Sequence, residues 1–90
     1  IEDLIDEELE SGYWRFSARL DVEELNEKYP LKLPTNDAYE TIGGLMLQHA
    51  EEIPHSGFTL SLEFCSLTVE EVSSSKIQTI LVRTTDPKIT

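Results

Sequence analysis

Ninety residues make one small domain, because a chain this short buries only about 60 to 65% of the surface its unfolded form exposes and has no room for a second core. Eighteen Asp and Glu against seven Lys and Arg leave a formal charge of −11, and the bases are scattered singly, which excludes nucleic acid and disfavours anionic membranes as partners. The longest stretches without a charge, 41–50 and 53–62, are ten residues each, about half of the ~20 that span a bilayer, so no direct membrane insertion is expected.

With 39% hydrophobic residues, 28% charged and seven aromatics, the composition is that of a folded domain with a real core. A single cysteine, Cys65, cannot form an internal disulfide, and one Cys with two His cannot complete a four-ligand zinc site. The chain opens at Ile1 with no Met, no basic region and no apolar leader, which predicts a piece of a longer protein with no targeting signal of its own.

Residues 1–10 hold six acids and no base. Ile1, Leu4, Ile5 and Leu9 fall on one helical face. Glu2 with Asp6, Asp3 with Glu7, and Asp6 with Glu10 are like-charged pairs four apart, which weaken a helix. Residues 1–11 are therefore expected to be an acidic helical lead-in that docks its apolar stripe on this domain or on whatever precedes it. Its acids then face water, cations or a basic partner; the plainer reading is a solvated linker.

After Ser11 and Gly12, the run Tyr13 to Leu20 alternates strictly. Trp14, Phe16, Ala18 and Leu20 share one face of a half-buried strand. Asp21 with Glu24 reads as a capping box, and Val22, Leu25 and Tyr29 line one side of a short helix. Pro30 and Pro34 enclose an extended connector. Asp37 with Glu40 repeats the capping signature ahead of the main helix, in which Tyr39, Ile42, Met46, His49 and Ile53 recur at steps of three and four. Gly43 and Gly44 inside it cost ~1 kcal/mol each relative to Ala, which predicts that this helix lies close against the sheet or the first helix. A phosphate cradle is the functional alternative, disfavoured because the pair falls in mid-helix rather than at a helix start.

Pro54 and Gly57 end that helix, and Phe58 to Phe64 alternates as a second strand. Leu67 to Val72 gives a third, with a phase slip at Glu71 and Val72 that marks a bulge or the strand's end. Ser73 to Lys76 forms a turn. Ile77 to Val82 is apolar on both parities except at Gln78 and Thr79, which predicts a central fourth strand. The expected fold class is α+β: a β-α-α-β-β-β two-layer sandwich of two helices on a mostly antiparallel four-stranded sheet, its last three strands a meander. The domain is placed at 12–84 and a polar C-terminal tail at 85–90.

No phosphate loop, dinucleotide fingerprint, nucleophile elbow or EF-hand spacing is present. His49 is expected to be a partly buried residue with one hydrogen-bond partner, His55 to be exposed, and Cys65 to be a small packed side chain. Glu51 with Glu52 and Glu70 with Glu71 are neighbours that face apart in regular structure and so cannot cooperate as acid and base. No catalytic residue and no metal ligand is assigned, and the chain is expected not to be an enzyme.

Trp14 ahead of Ser17-Ala18-Arg19, then Asp21 to Asn26, Leu33-Pro34, Tyr39 to Leu45 (Tyr-Glu-Thr-Ile-Gly-Gly-Leu), Ile53-Pro54 with Gly57, and a last strand from Ile77 together resemble the transporter-associated domain of the CorC/HlyC family. The resemblance covers about residues 12–84. Departures are Ala18 where the family usually has Gly, and Ser74-Ser75 where a Gly-containing turn is common. It implies a C-terminal cytoplasmic domain of an inner or plasma membrane protein that also holds a transmembrane domain and a CBS pair, of the kind implicated in magnesium and cobalt efflux or named haemolysin. The partners it implies are those CBS and transmembrane domains, or a second copy in a homodimer, with divalent cations held weakly at most. The fold it implies is similar to part of the FAD-binding domains of the vanillyl-alcohol-oxidase type. No resident cofactor is assigned, and FAD enters through that fold likeness alone.

Two functions follow as expectations: a non-catalytic regulatory module that modulates ion transport through domain contacts, or a binding module for FAD or an adenine nucleotide. For the second, the candidate ligand-contacting residues are Trp14, Arg19, Gly43 and Gly44.

Overall fold

The computed structural model describes residues 4–50 and 54–84. Seven elements follow in order: β1 (Asp6–Glu10), β2 (Tyr13–Ser17), α1 (Val22–Lys28), α2 (Ile42–His49), β3 (Thr59–Ser61), β4 (Cys65–Ser73) and β5 (Lys76–Thr84). The strands form one antiparallel sheet in the order β1-β2-β5-β4-β3. The α+β class, the two helices, the terminal meander and the central position of the last strand agree with the sequence reading. The sheet, however, has five strands rather than four, because the acidic lead-in is an edge strand and not a helix.

The acids themselves explain that difference. In a helix, residues four apart stack, and the like charges of 2–10 repel. In a strand, neighbours point to opposite faces, so Asp6 and Glu7 each reach a base. Asp6 pairs with Lys28 and accepts from the Tyr29 hydroxyl at 2.7 Å on the helix side. Glu7 accepts from Arg15 Nη1 at 2.9 Å on the open side. Burial pushes the Asp6 carboxyl up, but the hydrogen bonds from Lys28 and Tyr29 hold it below its ordinary value.

The helices cover one face. Cross-strand rows such as Trp14–Val82–Leu67–Leu60 and Phe16–Ile80–Val69 point toward them, and Val22, Leu25, Ile42, Leu45 and Met46 close the core from above. Leu31 and Leu33 of the connector are buried with them. Leu33 is held by Asn26, whose Oδ1 accepts the Leu33 N–H at 2.8 Å and whose Nδ2 donates to the Leu33 carbonyl at 2.9 Å. Lys32, between the two leucines, is left-handed at φ 55° rather than extended.

Helix α1 begins as expected, with Asp21 Oδ1 accepting from the N–H groups of Glu23 and Glu24 at 2.8 and 3.1 Å. Helix α2 does not begin at Asp37. Asn36 Oδ1 accepts the Ala38 N–H at 2.8 Å and the Tyr39 N–H reaches the Asn36 carbonyl at 3.3 Å, so this stretch is a turn. Thr41 is the cap instead, accepting from the Gly44 N–H at 3.1 Å. The main helix is therefore Ile42–His49; Tyr39 precedes it, and Ile53 lies outside the described residues. No helix among the described residues is long and apolar enough to cross a membrane.

The phase slip at Glu71 and Val72 is a pair of compensating bulges. Pairs Val69–Ile80, Glu71–Thr79 and Val72–Ile77 leave Glu70 as the extra residue on β4 and Gln78 as the extra one on β5. The β4–β5 hairpin turns on Ser74 and Ser75, both left-handed at φ 53° and 63°, a geometry that two-residue turns normally fill with Asn and Gly.

Two stability measurements check this packing. A Cβ on Gly43 would sit 2.9 Å from both Cβ and O of Ala18, so Gly43→Ala is expected to lose about 1–3 kcal/mol in urea unfolding. Replacing Ser74-Ser75 by Asn-Gly is expected to gain about 1 kcal/mol in the same assay, because it relieves two left-handed L-residues.

Candidate functional site

Three segments meet at one end of the sheet. The turn after β2 brings Ala18 and Arg19, α2 brings Gly43 and Gly44 from its first turn and Leu47 from further along, and the β4–β5 hairpin brings Lys76; together they border a groove of about 490 Å³. Arg19, Gly43 and Gly44, three of the four residues singled out in the sequence, thus stand together. Trp14 does not join them. It is 4% exposed, on the helix side of the core, with ring centroids 6.3 Å from Phe16 and 5.4 Å from Tyr29. Its Nε1 is buried without a hydrogen-bond partner among the described residues. Sequence reasoning missed Leu47, Lys76 and Ile77 as lining, since only the strand order places the hairpin tip beside the helix start.

The two glycines occupy the first turn of α2, not its middle, which removes the positional argument against a phosphate cradle and replaces it with a stronger one. The Ile42 N–H donates to the Leu20 carbonyl at 2.9 Å, the Gly43 N–H to the Ala18 carbonyl at 2.9 Å, and the Gly44 N–H to Thr41 Oγ1 at 3.1 Å. A phosphate bound at a helix start needs those donors free; here the chain itself holds them. The glycines serve close approach, Gly43 letting the helix rest on the backbone of residue 18 and Gly44 leaving room for Tyr39.

On the open face of the sheet, a charged network spans four strands. Arg15 donates through Nε and Nη2 to Glu70 at 2.9–3.1 Å and through Nη1 to Glu7, while Thr79 Oγ1 donates to Glu70 at 2.9 Å. The Arg15 hydrogen bonds hold the Glu70 carboxyl below its ordinary value, and both carboxylates raise Arg15. The bulge overturns the expectation that Glu70 and Glu71 face apart: Glu71 pairs with Thr79, to which Glu70 is bonded, so both lie on the open face.

The remaining chemistry-bearing residues are dispersed. His49 is exposed rather than partly buried, with Nδ1 3.0 Å from the Leu45 carbonyl oxygen, and His55 is exposed with Nδ1 3.0 Å from that of Ser56. Cys65 opens β4, where burial pushes its thiol up to about 11, so little thiolate exists at neutral pH. Asp21, Glu23, Asp37 and Glu40 border a smaller pocket of about 220 Å³, but Asp21 already caps α1, and among the described residues no three His, Cys, Asp or Glu converge on a metal position.

The family model for CorC_HlyC, the transporter associated domain, matches residues 7–86. Among solved structures, the chain is similar to the transporter associated domain CorC_HlyC from Nitrosomonas europaea, at 20% identity and a TM-score of 0.81 over 93% of this chain and 100% of that one. It is also similar to the CorC_HlyC domain of a Xylella fastidiosa hemolysin, at 21% identity and 0.80 over 94% and 100%. A third likeness is to the transporter associated domain of a CBS domain protein from Porphyromonas gingivalis, at 24% identity and 0.72 over 87% and 94%. A comparison with curated proteins finds no match.

The Glu70 pairing sets a pH dependence. A carboxyl whose folded pKa is depressed stabilises the fold above its unfolded value, near 4.5, and that contribution disappears as pH falls through the lower folded value. Wild-type chain is therefore expected to exceed Glu70→Gln in stability at neutral pH, with the gap closing below about pH 4.5 in urea titrations. A gap that stays constant down to about pH 3 would show that the Arg15 pairing does not hold the carboxyl low.

Proposed function

The chain belongs to the CorC/HlyC transporter-associated domain family, and from that premise we propose that it is a non-catalytic regulatory module which modulates ion transport by contact with neighbouring domains of its parent protein. The observation that carries this reading is the state of the ionisable side chains. Arg15, Lys28, Asp6 and Glu70 are tied into surface pairs, Cys65 is buried, and both histidines are exposed and apart. Among the described residues, what this leaves for function is surface rather than a reactive centre. The family is described by association with a transporter and not by a reaction.

In this reading the domain, with β1 as part of its sheet, sits on the cytoplasmic side of an inner or plasma membrane protein, and its partners are a CBS pair and a transmembrane domain. The Porphyromonas gingivalis neighbour, from a CBS domain protein, supports the CBS partner. Magnesium or cobalt is the ion, and efflux the direction, implied by the family resemblance. The scattered acids concentrate divalent cations weakly and without a cage. A homodimer is a further arrangement through which such contacts could act.

A second reading, a binding module for FAD or an adenine nucleotide, is favoured by one observation: Arg19, Gly43 and Gly44 border a single groove whose ~490 Å³ lies within the ~300–1,000 Å³ typical of ligand pockets. Against it stand the occupied N–H groups of α2, the burial of Trp14 elsewhere, and a net charge of −11.

Deleting the domain from its full-length parent is expected to change ion flux or its response to nucleotide. Unchanged flux, nucleotide response and oligomeric state would rule the regulatory reading out. Calorimetry of the 90-residue chain with FAD and with ATP is expected to give no binding heat; saturable heat with either would favour the second reading.

A further inference from the structure

The two edges of the sheet are held in different ways. At the β3 edge, Phe58, Leu60 and Leu62 pack against the core. At the β1 edge none of the five strand residues is buried, and Leu4, Ile5 and Leu9 stay 38–39% exposed. What holds β1 is its ladder with β2 and two side-chain ties, one on each face: Asp6 to Lys28 and the Tyr29 hydroxyl at the end of α1, and Glu7 to Arg15. Ion pairs this close to water contribute little singly. Glu8 and Glu10 are exposed and, among the described residues, make no ion pair, so their charges work against attachment to a chain at −11.

Release of β1 strands no buried group. Arg15 keeps Glu70, which it meets through Nε and Nη2, Lys28 is exposed, and the β2 N–H groups that face β1 come out to water rather than being buried unpaired. The motion also has a fixed point. Gly12 is left-handed at φ 80°, and its carbonyl accepts the Thr84 N–H of β5 at 2.9 Å, so the chain from there on is fastened to the central strand. We propose that β1 is a releasable strap: it swings as a unit about Ser11 and Gly12 while the rest of the domain stays folded, and the clasp of Asp6 on Lys28 and Tyr29 is the catch that holds it shut.

The catch joins the strap to the helix layer. The Tyr29 ring, which follows α1, lies 5.4 and 5.7 Å from the rings of Trp14 and Phe16. A closed strap therefore helps seat the end of α1 on the aromatic pair of β2, and an open one uncovers β2 as the new edge of the sheet. Such a strap is a property of the chain itself and does not depend on which neighbouring domain it meets.

The ladder supplies an internal control for the test. The Ser17 N–H donates to the Ile5 carbonyl at 2.8 Å, so by alternation Arg15 and Ser17 turn their N–H groups to β1, whereas Phe16 and Ala18 turn theirs to β5, Ala18 bonding the Gln78 carbonyl at 2.9 Å. Native-state hydrogen exchange of the intact 90-residue chain, read by NMR, is expected to show Glu7, Arg15 and Ser17 opening together, at one free energy that low urea hardly changes, while Phe16 and Ala18 open only with the whole domain. Asp6→Asn should speed opening at Glu7, Arg15 and Ser17 about tenfold and leave Phe16 and Ala18 as they were. Glu8→Gln, which removes charge without touching the catch, should not speed it. The spectrum of each variant shows whether it has folded, and Tyr29→Phe, which removes only one hydroxyl, repeats the test in milder form. The proposal is overturned if Arg15 and Ser17 exchange as slowly as Phe16 and Ala18, or if protection falls off stepwise from Arg15 to Ser17, as in a fraying end. It is equally overturned if Asp6→Asn speeds all these amides alike or none of them. The domain-deletion experiment stands or falls separately.

Discussion

The structure hangs on one backbone contact. The Gly43 N–H bonds the Ala18 carbonyl at 2.9 Å, and the Ile42 N–H bonds the Leu20 carbonyl at the same distance, so the first turn of α2 is fastened directly to the turn that follows β2. A reciprocal bond from the Val22 N–H to the Glu40 carbonyl, at 2.9 Å, ties the start of α1 to the same place. Both helices thus begin side by side at one end of the sheet, beside the turn after β2. The contact explains why position 43 has no side chain, why Leu45 and Met46 enter the core, and why a groove opens beside the β4–β5 hairpin. It also closes the helix start to anions, since a bonded N–H cannot serve a phosphate.

A second constraint is charge. A chain at −11 must separate its acids or neutralise them. Strand β1 does both, sending Asp6 to Lys28 on one face and Glu7 to Arg15 on the other. The same strand is an edge of the sheet, and its exposed Glu7, Glu8 and Glu10 discourage pairing with another chain. The opposite edge, β3, is only three residues long. The acidic segment is therefore part of the domain's body and protects its flank. The open sheet face is held by the Arg15–Glu70 pair, which the β4 bulge aims.

Much of this was legible in the sequence wherever periodicity was strict. The alternation of Trp14 and Phe16, the Asp21 cap, the slip at Glu71 and the central place of the run from Ile77 each reported a local fact that the fold kept, whereas the strand expected to reach Leu20 stops at Ser17 and residues 18–20 turn toward α1. The lead-in misled because Leu4, Ile5 and Leu9 fit a helical stripe, whereas repulsion between acids four apart and the pairing offered by β2 decided for a strand. The start of α2 misled because Asp37 with Glu40 has the spacing of a cap, but Asn36 drew that stretch into a turn and left Thr41 as the cap. That error of four residues put the glycine pair in mid-helix. The groove was half visible: Arg19 and the glycines carry a signal, but Leu47 and Lys76 become neighbours only through the strand order, which no local pattern encodes.

Amide hydrogen exchange at Ile42 and Gly43, followed by NMR with and without added inorganic phosphate, tests the account at its centre. If those N–H groups are bonded to Leu20 and Ala18, they exchange as slowly as the core amides of β5, and phosphate leaves them unmoved. Fast exchange at either residue, or protection that appears only when phosphate is added, would show that the helix start is open to an anion and contradict the account.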